Sequence, residues 1–266
     1  MISVDLTGKR ALVTGGSSGI GAAIVHALAR AGADVAINYL EDKNGKDAGA
    51  AADVAKEAER YGVRAITLAA NVDNAAEVER MFGALDAQLG AVDILVNNAG
   101  IDGVHARCWE SSPKDWQRVI QVNLFGAYHC AREALTRMVP AHRGVIINIS
   151  SVHERIPWSG YSAYTCSKAA VAMLTQTLAQ ETADLGVRVL AVAPGAIKTP
   201  INKDVWDKPD TLKDLLRKIP VRRMGGTEEV AHMVAVLASD LASYVTGPSL
   251  MVDGGMVLYA NFRHGG

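Results

Sequence analysis

Seven short aliphatic runs recur along this chain, at positions 10–14, 34–38, 64–69, 93–97, 145–149, 188–193 and 250–252. Stretches inside them, such as Ala11-Leu12-Val13 and Val189-Leu190-Ala191-Val192, are apolar at successive positions instead of alternating with polar residues. A strand that must hide both faces belongs in a parallel sheet with a layer packed on each side. Between the runs lie longer segments rich in Ala, Leu, Glu and Arg, among them 21–31, 75–89 and 162–185, which read as helices. Parallel neighbours need long crossover connections, and these are right-handed. The alternation predicts an α/β fold: a doubly wound, parallel, seven-stranded sheet in a single domain spanning 1–266. Two stretches break the rhythm. Residues 41–47 read as a polar, charged loop. The long stretch 198–226 carries Pro200, Pro209 and Pro220 and is expected to cover a substrate site at the sheet's edge.

Composition narrows the functional classes. Hydrophobic residues make up 49% of the chain and charged ones 21%, enough apolar material for a sizeable core. With a net charge of -1 and no basic block, neither nucleic acid nor an anionic membrane is expected as a partner. Cys108, Cys130 and Cys166 have no paired spacing, which fits reduced thiols in the cytoplasm. The start, Met1-Ile2-Ser3-Val4-Asp5, shows no secretory pattern, and no apolar run is long enough to span a bilayer. No His/Asp/Glu cluster has a ligand spacing, so no metal is expected.

The first run leads into Thr14-Gly15-Gly16-Ser17-Ser18-Gly19-Ile20-Gly21 and then a helix. Glycines there allow a tight turn and close approach of backbone to a pyrophosphate, which the helix N-terminus attracts. Placed at the first strand and first helix, the loop makes the sheet a Rossmann-type dinucleotide-binding one. The spacing Gly15-x-x-x-Gly19-x-Gly21 resembles the fingerprint of the short-chain dehydrogenase/reductase family. Asn97-Asn98-Ala99-Gly100, after the fourth run, is similar to that family's second signature. Contacts to NAD or NADP are therefore expected from Gly15, Ser17, Ser18, Gly19, Ile20 and Gly21, and from Asn98, Ala99 and Gly100.

The chemistry is expected at Tyr164 and Lys168, four residues apart and so on one helix face. A phenol has an ordinary pKa of about 10 and is a weak base at neutral pH; a neighbouring ammonium favours its phenolate. Ser151, ending the fifth run, is placed to donate a hydrogen bond to a substrate oxygen. The resemblance adds Asn123, in Val122-Asn123-Leu124, as the family's helix asparagine. It also assigns Pro194, Gly195, Ile197 and Thr199 to the nicotinamide end, with Tyr164 and Lys168 touching cofactor as well.

Cofactor choice turns on the end of the second run. Tyr39 stands where an NAD-type Asp is expected, Leu40 where many NADP users carry Arg, and Lys43 is within reach of a 2′-phosphate. Asn71 and Val72 stand in place of the family's frequent Asp-Val beside adenine. Use of both NAD and NADP is expected.

Three segments, 151–158, 194–202 and 242–256, resemble bacterial glucose 1-dehydrogenases within the family. That resemblance implies oxidation of an aldose at C1 to a lactone, with a polar substrate such as a sugar or polyol held by Asp102, Ser151, His153, Tyr161 and Asn202. His153 reads equally well as a hydrogen-bonded structural histidine. The alternative within the family is a reductase of ketones or 3-oxoacyl thioesters, for which Arg222-Arg223 is the candidate carrier patch. The alternative of another class is an inactive nucleotide-binding or structural protein on the same fold. A homotetramer is expected from the family and from the apolar stretch 256–262.

Overall fold

The computed structural model describes residues 3–42, 44–200 and 206–258. Its strands are β1 (Arg10–Val13), β2 (Asp34–Tyr39), β3 (Ala65–Ala69), β4 (Ile94–Asn97), β5 (Gly144–Ile149), β6 (Val187–Pro194) and β7 (Ser249–Val252). Each lies within one residue, at either end, of the run that predicted it. They form one sheet in the order β3-β2-β1-β4-β5-β6-β7, and every neighbouring pair is parallel.

Burial on both faces explains the unbroken apolar runs. Ala11 and Val13 of β1 enter one core cluster while Leu12 enters the other, and Ile94 and Val96 part from Leu95 in the same way. The first face is covered by α1 (Gly19–Arg30), α2 (Lys46–Glu59) and a C-terminal helix, Thr227–Ala238. The second is covered by α3 (Ala75–Gln88), the helix Gly126–Met138 and the long helix Ser162–Thr182. With α4 (Pro113–Ile120) and Pro209–Arg217 counted in chain order, these later helices are α5 (Gly126–Met138), α6 (Ser162–Thr182), α7 (Pro209–Arg217) and α8 (Thr227–Ala238). Side chains start several of them: Asn74 Oδ1 accepts from the amides of Ala76 and Glu77 at 3.1 and 3.3 Å and opens α3.

β1 is flanked by β2 and β4, and the chain winds outward in opposite directions from that junction. Loops after β1 and β4 therefore separate and leave a crevice at the C-terminal edge of the sheet, where ligands of such folds bind. Three local features differ from the sequence expectation. The 41–47 loop is shorter, because Lys46 and Asp47 already belong to α2 and Asp42 Oδ1 accepts from the Asp47 amide at 3.1 Å. The 198–226 stretch contains α7, which starts at Pro209, where a missing N–H is tolerated. Its base is closed by the amides of Lys198 and Gly225, which donate to the carbonyls of Gly225 and Ala196 at 2.9 and 3.0 Å. Between α4 and α5 the helix widens into a π segment, Gln121–Phe125. Among the described residues no helix is long and apolar enough to cross a membrane.

Phe82 of α3 is fully buried, with the Arg137 guanidinium 5.1 Å from its ring centre. Phe82→Ala is expected to cost about 3–5 kcal/mol in urea unfolding. A loss below about 1 kcal/mol would mean that this face of the sheet is not packed as described.

Candidate active site

The crevice begins with a knot of hydrogen bonds. Thr14 leaves β1, and its Oγ1 accepts from the amides of Asn98 and Ala99 at 3.0 Å each. Asn98 Nδ2 returns two bonds of 3.0 Å, to the carbonyls of Thr14 and Gly15. Asn38 Oδ1 accepts from the Gly15 amide at 3.3 Å. The loop Gly15–Gly21 is thus tied to β2 and β4 as well as to its own strand. Gly19 has φ +55, a conformation open to glycine at little cost. A Cβ on Gly21 would stand 2.2 Å from the Gly15 carbonyl oxygen, so no larger residue fits. Ser18 precedes α1 in extended conformation without a side-chain cap, which leaves first-turn amides around Gly19, Ile20 and Gly21 for an anion. With Ser17 beside it, this cradle fits a dinucleotide's pyrophosphate.

The other expected cofactor residues line the same edge. Tyr39 ends β2, half-buried, and Leu40 is half exposed; Lys43 lies outside the described residues. Asn71 follows β3 and accepts from the Asp73 amide at 3.3 Å, while Val72 is buried against Gly126. Pro194 ends β6, and the Gly195 amide donates to Val252 at 3.0 Å. Ile197 is buried, and Thr199 lies against Gly19. The 194–199 segment and the phosphate loop are therefore neighbours. Gly100 bridges to the second half of the site: a Cβ there would meet Asn123 Oδ1 at 3.2 Å and Lys168 Nζ at 3.7 Å.

In that half, β5 ends and Ser150 and Ser151 lead into a short turn, Val152–Glu154. Tyr164 and Lys168 face it from α6. Ser151 Oγ accepts from the His153 amide at 3.2 Å, and Ser151 lies near enough to Tyr164 to favour its phenolate. Lys168 Nζ donates to the Ile149 carbonyl at 2.8 Å and lies 5.7 Å from the centre of the Tyr164 ring. Asn123 sits in the π segment with its amide fully engaged on neighbours. Its Oδ1 accepts from Ile101 N at 2.8 Å, and its Nδ2 donates to Ile101 O at 2.9 Å and Ser167 Oγ at 3.0 Å. The residue clamps the loop after β4 to α6.

Burial governs the protonation of this group. It pushes the Tyr164 phenol up to about 12, with Ser151 opposing. It pulls the Lys168 ammonium down to about 8, opposed by the charges of Asp102 and then Glu154. Both shifts favour neutral forms. A positive charge brought beside Tyr164 reverses that preference for the phenol.

Beside Tyr164 the structure gathers an aromatic wall. His153 stacks on Trp158 with ring centres 4.4 Å apart, and Trp158 meets Tyr161 at 4.0 Å. Tyr164 presents its ring edgewise to both His153 and Trp158. His105 adds a further ring, 5.1 Å from Tyr161. His153 Nδ1 donates to the Ile156 carbonyl at 3.0 Å, so the neutral ring keeps only Nε2 as an acceptor, and burial holds it below its ordinary pKa. One nitrogen of His153 thus holds the turn, as the structural reading expects. Burial raises Asp102 towards its neutral form and Tyr161 above its ordinary value. A cavity of about 150 Å³ adjoins this wall, lined in part by Asp102, Val104, Trp116, Val119 and Tyr161. Asn202 lies outside the described residues. Trp158 and His105 escaped sequence reasoning as wall members because no local spacing links positions 105, 153, 158, 161 and 164. Among the described residues no group of His, Cys, Asp or Glu is arranged to hold a metal ion.

Residues 15–257 match the family model described as enoyl-(acyl carrier protein) reductase. The chain is 46% identical to 3beta-hydroxysteroid dehydrogenase 1 of Eggerthella lenta over 265 residues, 98% of each protein. It is 41% identical to glucose 1-dehydrogenase 2 of Bacillus subtilis, over 96% of this chain and 97% of that one. A 3-oxoacyl-[acyl-carrier-protein] reductase of Staphylococcus epidermidis is 40% identical, over 94% and 99%. Among solved structures, a candidate gluconate dehydrogenase from Agrobacterium tumefaciens superposes with a TM-score of 0.90 at 36% identity, covering 96% of this chain and 98% of that one. A candidate 2-deoxy-D-gluconate 3-dehydrogenase from the same species, with bound NADP, gives 0.86 at 33% identity over the same shares. The chain belongs to the short-chain dehydrogenase/reductase family. It is an oxidoreductase acting on CH–OH groups, and use of NAD or NADP fits both the family and the cradle.

Two predictions follow from the geometry. Gly21→Ala is expected to abolish NADH binding in a fluorescence titration, because its methyl group collides with backbone; unchanged affinity would place the dinucleotide elsewhere. Lys168→Met removes a buried ammonium and is expected to raise the melting temperature at pH 7 by roughly 3 °C or more, about 1 kcal/mol in a chain of this size. Folding lowers the lysine's pKa, so the penalty is fully present below about 8 and is lost as pH rises towards the unfolded value. The stability gap between wild type and variant should therefore narrow from pH 8 to 10.5. A gap independent of pH would refute the assignment of the penalty to charge.

Proposed function

We propose that the enzyme oxidises a hydroxyl on a ring carbon, with C1 of an aldose as the first candidate. The observation that carries this reading is the Ser151–Tyr164–Lys168 group, Ser151 and Lys168 buried and Tyr164 partly so, beside the wall of Trp158, Tyr161 and His153. Flat aromatic faces suit the C–H face of a ring, while Asp102, the free nitrogen of His153 and Tyr161 offer partners for hydroxyls. Ser151 donates a hydrogen bond to the substrate oxygen, and Tyr164 takes the hydroxyl proton. When bound, a nicotinamide cofactor supplies the hydride acceptor and, oxidised, a positive charge beside the phenol. Loss of the proton and the hydride turns an aldose into its lactone. Lys168 lowers the cost of the phenolate. Asn123 holds the Ile101 loop and α6 in register around them.

A second reading, oxidation of a 3β-hydroxysteroid, is favoured by the 46% identical relative and by Val104, Trp116 and Val119 in the cavity. The carrier-linked thioester reading has less support. Arg223 pairs with Glu229 at 2.7 Å, and Arg222 donates to the Arg217 carbonyl at 3.1 Å. Both arginines are already engaged within the chain.

The 198–226 region, anchored at its base and carrying α7, is the natural cover for the substrate. Exposed Phe125, Tyr128 and Met173 on the π segment, α5 and α6 support assembly with further copies as a homotetramer. Of the apolar stretch 256–262, residues 259–262 lie outside the described residues, and Leu258 is exposed. Cytoplasmic residence remains part of the proposal.

The test is a panel of aldoses, a 3β-hydroxysteroid and a 3-oxoacyl thioester, each with NAD and NADP and read by nicotinamide absorbance. Aldose turnover is expected; turnover of the steroid or thioester alone would displace that reading. Tyr164→Phe should cut turnover by about 10²–10⁴-fold while NADH affinity holds, and full activity would remove Tyr164 from its role. Both cofactors should serve: a KM ratio above roughly a thousandfold, about 4 kcal/mol of discrimination, would contradict this.

A further inference from the structure

Trp206 lies in the 198–226 region and has no part in the chemistry above. That region is pinned to the rest of the chain near its ends. The amides of Lys198 and Gly225 donate to the carbonyls of Gly225 and Ala196, and the Val221 amide donates to the Gly254 carbonyl at 3.2 Å. Thr199 is gripped from within the region: the Trp206 indole Nε1–H donates to its carbonyl at 3.1 Å. The face of the same ring carries the Lys198 ammonium, 4.4 Å from the ring centre, in an attractive cation–π contact. One half-buried indole therefore holds two successive residues, by its edge and by its face.

We propose that Trp206 is a positioning residue for the dinucleotide: it holds Thr199 against the glycine cradle and so fastens the start of the 198–226 region to the cofactor's seat.

Thr199 matters because of where it stands. Its Cβ and Cγ2 would each lie 3.9 Å from a Cβ on Gly19, ordinary van der Waals contact, and Gly19 is the first residue of α1. That helix end lacks a side-chain cap, and its amides are the ones left for a pyrophosphate. Thr199 thus forms one rim of the cradle. A rim already in place spares the dinucleotide the cost of ordering it, and binding is stronger by that amount. A hydrogen bond of ordinary net strength is worth roughly two- to tenfold in such an equilibrium. Mere packing makes a different demand: a phenylalanine ring would fill much of the same space and present the same kind of face to Lys198, but it has no N–H. By linkage the effect is reciprocal, so a bound dinucleotide favours the Trp206–Thr199 bond by the same factor.

This inference rests on the cradle holding a dinucleotide, and its test separates the two. Trp206→Phe keeps a ring for Lys198 and removes the N–H. Binding of NADH or NADPH, whichever wild type holds more tightly, is followed by the fluorescence of the reduced nicotinamide and needs no substrate. The affinity is expected to fall about threefold or more in Trp206→Phe. AMP, which lacks the second phosphate and the nicotinamide riboside, is expected to bind variant and wild type alike in calorimetry. Unchanged dinucleotide affinity overturns the proposal and leaves the cradle intact. Equal weakening of AMP and dinucleotide would mean a general loosening of the fold and also overturns it. A wild type that binds neither nucleotide sinks the cradle reading, and the role of Trp206 falls with it. Should Trp206→Phe fail to fold, wild type labelled with 15N in its tryptophans carries the test. The Trp206 indole signal, assigned by elimination in Phe variants at Trp109, Trp116 and Trp158, is expected to exchange with solvent about threefold more slowly when the dinucleotide is bound. An unchanged exchange rate overturns the proposal.

Discussion

The knot between Thr14 and Asn98 is what makes one edge of this sheet a site. Thr14 leaves β1 and Asn98 leaves β4 at the point where the winding of the sheet reverses, and four hydrogen bonds of 3.0 Å lock the two exits together. Because the glycine loop begins at Thr14 and the loop towards Asp102 begins at Asn98, this lock sets the spacing between the glycine cradle and the aromatic wall. Gly100 then passes close to both Asn123 and Lys168 and carries the registration on to α6.

Around that frame the molecule tolerates an electrostatic penalty. Tyr164 and Lys168 are each pushed towards neutrality by burial, the opposite of what proton abstraction from an alcohol requires. The site is therefore poised and incomplete: the positive charge of an oxidised nicotinamide would favour the Tyr164 phenolate, while the charges of Asp102 and Glu154 favour the Lys168 ammonium. Sites of this kind sacrifice stability for reactivity, and here the sacrifice is concentrated in one buried ammonium.

Much of this was legible in the chain because it depends on local pattern. Aliphatic runs located all seven strands, since a strand buried on both faces has no polar alternation to blur it. Tyr164 and Lys168 were legible because four residues make about one helical turn. The end of the 41–47 loop was not, because Lys46 and Asp47 are polar in a helix as in a loop, and only the Asp42 bond to the Asp47 amide settles where α2 starts. Pro209 looked like loop punctuation, yet in the first turn of α7 it is a favourable residue.

The sequence by itself determined the sheet, the glycine turn after β1 and the placing of Tyr164 and Lys168 on one helix face, because each is written in periodicity or in spacing of a few residues. Only the tertiary structure decided who surrounds them. The aromatic wall joins residues from two loops and a helix, Glu154 reaches Ser249 across 95 positions of chain, and Asn123 proves to be a clamp on Ile101 and Ser167. Such partners meet through the packing of β5, β7 and α6, and no pattern along the chain records a distance between segments that approach only when the sheet closes.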